Sequence, residues 1–395
     1  MESYSFSTFD EDKINVVTRE KISKNSNKFD FVNRVYLETI SEQTYDASDN
    51  QNELLRTSAR NDLVSQIYYN KKWFSYVNFR FQEEGLDYNE FASLQVAPEN
   101  GGDQFYSNHS GVVREMNFGY EDDDYKFYVG KFRAKFGYAW NLGRGMFSNA
   151  LASSYMQTER LGFGAEIKSG NKRTVGAYNL GLALYKYDRK FLDNSLFQSR
   201  REISASDTVP SDTKNPRSFT VNLDVDFDFD SGRELFYRFA YSKQKMNEEL
   251  LASKYSGQGR FGDQKSYSLA MNYKTIFSDN FALDSLIEYV DTDYAEGNFA
   301  TSKDNVVSVS LISNIYKNWN VTTALSQRRV ASNTDIALKT MLAEVSAGYV
   351  FKNSGYFDGL QIQLGVTSFR NTAPTTSFID NRQGVAAMVR YVKWI

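Results

Sequence analysis

The chain has 395 residues, a net charge of −3, a mean hydropathy of −0.54, one histidine and no cysteine. Zero cysteine excludes disulfides and thiolate chemistry, a lone histidine excludes a multi-histidine metal centre, and the near-neutral charge gives no global field for nucleic acid. No run of 18 apolar residues occurs, which excludes a spanning helix, yet 15% of the residues are aromatic, as suits a sheet with one wet and one oily face.

Residues 1–28 show no sustained strand pattern and are expected to form a periplasmic N-terminal extension. Met1-Glu2-Ser3-Tyr4 has neither the basic nor the apolar region of a signal peptide, so a leader is expected to have been removed. From residue 29 onward, apolar and polar residues alternate with period two over stretches of about 10 residues. The alternation is clearest at 218–229. There Phe219, Val221, Leu223, Val225, Phe227 and Phe229 share one face, and Ser218, Thr220, Asn222, Asp224, Asp226 and Asp228 share the other. Successive strand side chains point to opposite faces, whereas a helix would scatter both sets.

The pattern predicts about 16 strands, at 29–45, 53–69, 73–86, 111–120, 125–137, 158–168, 173–187, 217–229, 233–247, 264–277, 281–295, 304–316, 319–332, 335–352, 356–370 and 384–395. About 10 residues per strand suffices to cross a bilayer when tilted. The connections supply a second signal. Every even one is short and rich in Gly, Asn, Asp and Ser: Asn70-Lys71-Lys72, Glu121 to Asp124, Ser169-Gly170-Asn171-Lys172, Asp230-Ser231-Gly232, Ser278-Asp279-Asn280, Lys317-Asn318 and Asn353-Ser354-Gly355. Most odd ones are longer: 87–110, 138–157, 188–216, 248–263, 296–303 and 371–383. Short turns on one side and long loops on the other are the habit of bacterial outer-membrane barrels. The expected fold is therefore an all-β, transmembrane, antiparallel up-and-down barrel over residues 29–395, with both barrel ends on the periplasmic side. Tyr69, Trp73, Tyr120, Tyr125, Tyr187, Tyr273, Tyr289, Trp319 and Tyr349 near strand ends are expected to form interfacial girdles. The last strand ends Trp394-Ile395, close to the aromatic or apolar ending usual for such barrels.

Strand parity turns Arg34, Arg56, Arg60, Arg80, Arg238, Arg328 and Arg390 inward, with Glu38, Asp62, Glu166, Asp224, Asp226, Asp228, Asp284, Glu288 and Glu344. In a water-filled lumen such charges set ion preference. Asp224, Asp226 and Asp228 form an acidic column that either attracts cations or is simply a solvated face. Lys131, Arg133 and Lys135 form a basic column. Strict alternation would point it at lipid, so it is expected either to turn inward through a bulge near Gly130 or to lie above the membrane. No catalytic set, metal site or cofactor motif is expected, since His109 falls in a predicted loop and no phosphate-cradling Gly-Lys-Ser/Thr loop occurs. Tyr68, Phe74 and Tyr76 are the candidate lumen aromatics for a specific sugar or siderophore channel.

The segment Val129-Gly130-Lys131-Phe132-Arg133-Ala134-Lys135-Phe136-Gly137 resembles the Gly-Lys-Phe…Phe-Gly strand of the phosphate-selective (polyphosphate-selective) porins of Gram-negative outer membranes. Arg160-Leu161-Gly162-Phe163-Gly164 is similar to the segment after the third loop in that family. The resemblance implies a 16-stranded barrel, commonly a homotrimer among outer-membrane lipid and lipopolysaccharide, with the third extracellular loop, 138–157, folded into the channel. The constriction and selectivity residues would be Lys131, Arg133, Lys135, Arg144 and Arg160. No arginine ladder of a phosphate channel can be traced. The expected function is passive diffusion of small charged solutes with a preference for anions. The alternatives are a sleeve around a multihaem cytochrome and a specific channel for an oligosaccharide or siderophore.

Overall fold

The computed structural model describes residues 9–10, 29–48, 53–83, 104–106, 109–143, 145–147, 150–188, 210–229, 232–247, 262–295, 303–316, 318–331, 338–352, 354–373 and 378–395. Sixteen strands close into one antiparallel barrel. They are β1 (Phe29–Ala47), β2 (Leu55–Tyr69), β3 (Trp73–Glu83), β4 (His109–Glu121), β5 (Tyr125–Phe132), β6 (Arg160–Asn171), β7 (Gly176–Tyr187) and β8 (Ser218–Phe229). The second half is β9 (Arg233–Gln244), β10 (Gln264–Ser278), β11 (Phe281–Asp293), β12 (Lys303–Ile315), β13 (Trp319–Ala331), β14 (Leu338–Val350), β15 (Leu360–Ala373) and β16 (Phe378–Trp394). β16 pairs with β1 to close the ring, and Asn33 and Ile395 exchange both backbone hydrogen bonds at 3.2 and 2.9 Å. Closure removes the exposed edges that an open sheet would leave unpaired in lipid.

The period-two sequence pattern becomes two faces. On β12 the residues Asp304, Val306, Ser308, Ser310 and Ile312 are covered, while Val309 and Leu311 point out and are exposed. Around the barrel the outward set is mostly apolar, including Leu63, Phe118, Val129, Leu180, Phe239, Leu269, Ile287, Leu325, Val345 and Leu364. This oily exterior is the inverse of a soluble domain and matches the lipid-facing band of outer-membrane barrels. At the end that carries the short turns the outward rings meet. Phe29 lies 5.0 Å from Tyr69, Trp73 5.3 Å from Tyr120, and Trp319 5.0 Å from Tyr349, centroid to centroid. Tyr187 is an exception to the expected girdle, because it points into the barrel beneath the Arg160 guanidinium.

Strand bounds shift in three informative places. The fifth strand stops at Phe132, and 133–137 leave the wall. β15 runs on to Ala373 and β16 begins at Phe378, so most of the expected long connection 371–383 is strand. His109 opens β4 instead of lying in a loop; its Nε2 accepts the Ala59 backbone N–H at 3.0 Å and its ring stacks on Phe81, a wall-building role. The tight turn between β2 and β3 places Asn70 and Lys71 at φ of 50° and 60°, the left-handed pair of a type I′ turn closed by the Lys72 N–H on the Tyr69 carbonyl at 3.2 Å.

Candidate functional site

Directly opposed residues on neighbouring strands face the same side, and in the lumen this pairs opposite charges. Asp62 on β2 sits opposite Arg80 on β3, whose Nη2 donates to Oδ2 at 2.9 Å. Asp224 on β8 sits opposite Arg238 on β9, which donates through Nε and Nη2 at 2.7 and 2.8 Å. Glu38 on β1 sits opposite Arg390 on β16, with Nη2 at 2.6 Å, and also accepts the Tyr36 hydroxyl. The Asp62 and Asp224 forks match the two carboxylate oxygens, the stronger kind of ion pair, whereas Arg390 puts both nitrogens on the one oxygen Oε2 of Glu38. All the arginines and carboxylates that parity assigned to the lumen face lie on that face.

Between β5 and β6 the chain crosses the lumen. Residues 133–159 hold two single-turn helices, Ala139–Asn141 and Ala152–Tyr155, and two inward carboxylates bind the segment. Glu288 on β11 accepts the N–H groups of Tyr138 and Ala139, each at 2.7 Å, together with the hydroxyls of Ser268 and Tyr155. Glu344 on β14 accepts the N–H groups of Met146 and Phe147 at 2.8 and 2.7 Å and the Ser346 hydroxyl. The paired wall arginines contribute from the other sign. Arg238 donates to the Gly137 carbonyl at 3.1 Å and Arg390 to the Gly145 carbonyl at 3.3 Å. Gly145 has φ of 67°, and a Cβ there would stand 2.2 Å from the Glu344 carboxylate, so only glycine fits this approach.

An apolar contact set backs up these bonds. Phe136, Tyr138, Trp140, Leu142, Leu151 and Tyr155 of the loop bury against Ala240, Ala270, Leu286, Val306, Leu342 and Phe369 of the wall. Leu151 is fully covered, which contributes about 1.5–3 kcal/mol for a side chain of its size. At its far end Met146 packs on Ala386 and Met388 of β16. The loop thus reaches from β5 across to β14 and β16.

The expected constriction residues separate. Arg133 and Lys135 turn inward, because the chain leaves the wall after Phe132. Arg133 lies over the Trp140 ring at 4.7 Å and 3.9 Å from Glu115, and Lys135 meets Glu166 at 2.9 Å. Lys131 does not join them. It is fully covered on the outward-facing side near the long-loop end, 3.3 Å from both Glu159 and Asp188. The bulge expected near Gly130 is not formed, although Gly130 has φ of 132°. The β4–β5 register continues unbroken past it, and the turn inward comes three residues later. Arg160 faces the lumen but is packed into the wall, donating to Gln244 at 3.0 Å over the rings of Tyr185 and Tyr187. Arg144 lies outside the described residues.

The acidic column is inward as expected, yet each member has a cation. Arg238 holds Asp224, Lys172 reaches Asp226, and Arg173 stands 3.4 Å from Asp228. Lys172 and Arg173 sit in the turn before β7, which begins at Gly176 and not at the expected residue 173. Tyr68 and Phe74 pack on each other and on Val32, with Tyr76 alongside, instead of standing in a free row. The anchoring role of Glu288 and Glu344 also had no local signal, since their partners lie 150 and 198 residues away. Of residues 1–28, the described part is Phe9–Asp10, which pairs antiparallel with Leu142–Gly143 of the crossing loop; the remainder of the expected extension lies outside the described residues.

At the short-turn end, outside the strands, Asp122 accepts the backbone N–H groups of Tyr125 and Asp124 at 2.8 and 3.1 Å and the Tyr120 hydroxyl at 3.0 Å. The Tyr125 N–H first, with the other two donors, holds its carboxyl below the usual range despite some desolvation.

No family model matches the sequence, and no curated protein does. Solved structures do match over nearly the whole length. The outer membrane channel DcaP of Acinetobacter baumannii superposes with a TM-score of 0.56 at 12% identity, covering 93% of this chain and 99% of its own. OmpT, an outer membrane protein of Vibrio cholerae in its trimer form, gives 0.50 at 11% identity, covering 93% and 100%. At these identities the likeness is one of fold. A closed sixteen-strand barrel of this kind, oily outside and polar within, is a protein of the Gram-negative outer membrane.

Proposed function

We propose that this barrel is a passive porin for small charged solutes, with residues 133–159 as its constriction. The supporting observation is the crossing loop itself, held by Glu288 and Glu344 within a lumen lined by paired charges. A loop fixed on the far wall narrows the path while leaving polar, hydratable surface along it. A sleeve around a cytochrome would need that space, so the loop argues against it. The family resemblance around Val129 to Gly137 agrees with this reading, but phosphate selectivity is not part of it. The lumen arginines are matched by Asp62, Asp224, Glu38 and Asp304 instead of standing as an open ladder.

A mild preference for anions rests on Arg133 and Lys135, which flank the start of the crossing loop; each has a carboxylate beside it, Glu115 at 3.9 Å and Glu166 at 2.9 Å, so the preference is small. The acidic column is offset by Arg238, Lys172 and Arg173 and so does not impose the opposite sign. The protein would work as a homotrimer, in keeping with the trimer form of OmpT, with Phe9–Asp10 held against the loop at Leu142–Gly143.

The test is single-channel conductance in a planar bilayer, with the reversal potential measured across a KCl gradient. Stepwise conductance in threes with an anion-signed reversal potential supports the reading. Folded protein that conducts nothing would overturn it.

A further inference from the structure

Several charged residues on the outward face near the long-loop end have a partner. Lys243 and Lys245 share Asp263 at 3.4 and 2.7 Å, and Lys303 lies 3.8 Å from Asp293. Lys265, opposite Lys243, has no ion pair among the described residues, and three further cations without one stand together on adjacent strands. Arg329 on β13 sits directly opposite Lys339 on β14, and Arg370 on β15 is diagonal to Lys339, two positions from its opposite residue Thr372. All three are exposed and on the outward face. Among the described residues none of their side chains makes an ion pair or a hydrogen bond. Like charges directly opposed on one face are unfavourable unless something of opposite sign lies between them.

Their height says what that something is. Trp319 and Tyr349, which contact each other in the girdle at the short-turn end, lie ten positions along their strands from Arg329 and Lys339 respectively. Ten residues span about 33 Å of strand, or about 25 Å of height at the usual tilt, which is the thickness of the oily band. The outward residues in between are largely apolar, with Leu325, Val345, Leu364 and Val366 exposed. The three cations therefore stand where acyl chains end and the headgroups of the outer leaflet begin.

We propose that Arg329, Lys339 and Arg370 form a binding site for the phosphorylated sugar head of an outer-leaflet glycolipid, its acyl chains lying against the apolar stripe of β13–β15. Two arginines offer planar forks that suit phosphate oxygens, and the lysine adds a mobile point charge. The site rests on the outer-membrane location and not on the conduction reading.

The experiment titrates bisphosphorylated lipid A into detergent micelles of the full chain and of the triple variant Arg329→Gln, Lys339→Gln, Arg370→Gln, reading the apparent Kd and the unfolding temperature. Removing three cations at an anionic headgroup layer is expected to weaken binding about a hundredfold. Conductance and reversal potential should not change, because none of the three faces the lumen. Dephosphorylated lipid A should bind both proteins alike, and inorganic phosphate should not compete. The charge-keeping variant Arg329→Lys, Lys339→Arg, Arg370→Lys should recover most of the affinity, which separates lost charge from a misfolded barrel. Equal lipid A affinity for wild type and the Gln variant would overturn the site. Competition by inorganic phosphate would make it a free-phosphate site instead. A change of oligomeric size in the Gln variant would assign the cations to a contact with a second copy.

Discussion

The Glu344 carboxylate accepts the backbone N–H of Met146 at 2.8 Å across the lumen, joining the fourteenth strand to a loop 198 residues earlier. Together with Glu288 it ties the crossing segment by its backbone, so the geometry does not depend on a flexible side chain reaching from the loop.

Neutralising an anchor should therefore loosen the constriction. In Glu344→Ala the N–H groups of Met146 and Phe147 lose a charged acceptor, at a cost of about 1.5–3 kcal/mol per bond. The expected result is a noisier channel with a higher mean conductance and a lower barrel melting temperature. Glu344→Gln, which keeps one acceptor oxygen, should fall between. Current noise in a planar bilayer checks this, and a quiet Glu344→Ala channel of normal conductance would show that the anchor does not hold the loop.

Selectivity should follow the inward pair Arg133 and Lys135 and not the covered Lys131. Lys135→Glu is expected to shift the KCl reversal potential toward cations by several millivolts. Asp226→Asn with Asp228→Asn leaves Lys172 and Arg173 unopposed and should shift it the other way. Lys131→Met should leave the reversal potential alone but destabilise the barrel, since Glu159 and Asp188 would lose a buried cation.

Removing residues 1–28 is expected to raise the conductance, because Phe9–Asp10 lie against Leu142–Gly143 of the crossing loop. The measurement is the conductance of a truncated chain refolded in parallel with the full one.

The β2–β3 turn offers a stabilising change. Lys71 sits at φ of 60°, where a side chain is unfavourable by roughly 1 kcal/mol or more and glycine is not. Lys71→Gly should raise the urea midpoint of unfolding with conductance unchanged.

Asp122 should contribute to the acid limb of stability. Its native carboxyl is depressed by the Tyr125 N–H first and by the Tyr120 and Asp124 donors after it. A group depressed on folding stabilises fully above its unfolded value, near 3.9 for aspartate. That contribution is lost as pH falls from there toward the depressed native value. Asp122→Asn should flatten the stability profile below about pH 4 and leave the neutral region less affected, as followed by urea unfolding.

Much of this barrel was legible locally. Residues 218–229 alternate so strictly that the side facing water is evident without any knowledge of pairing, and the register of β8 against β9 agrees residue by residue. The short turns could be found because their Gly, Asn and Asp residues permit conformations that other residues resist. The basic column was not legible in the same way. Lys131, Arg133 and Lys135 share one parity, yet Lys131 ends in an outward, covered ion-pair group while the other two enter the lumen. The difference arises where β5 stops, and nothing local marks Phe132 as its last residue.

Strand periodicity, the sidedness of each strand and the parity of short and long connections follow from residue order alone, and the closed barrel with them, because each depends on neighbours two or a few residues apart. Which charges remain open to a passing ion depends instead on contacts between distant parts of the chain. Glu288, Glu344, Arg238 and Arg390 acquire their roles from loop groups and opposite strands 100 or more residues away. Closing the ring and folding the loop inward brings such groups within hydrogen-bond distance, and no local pattern of residue types encodes that meeting.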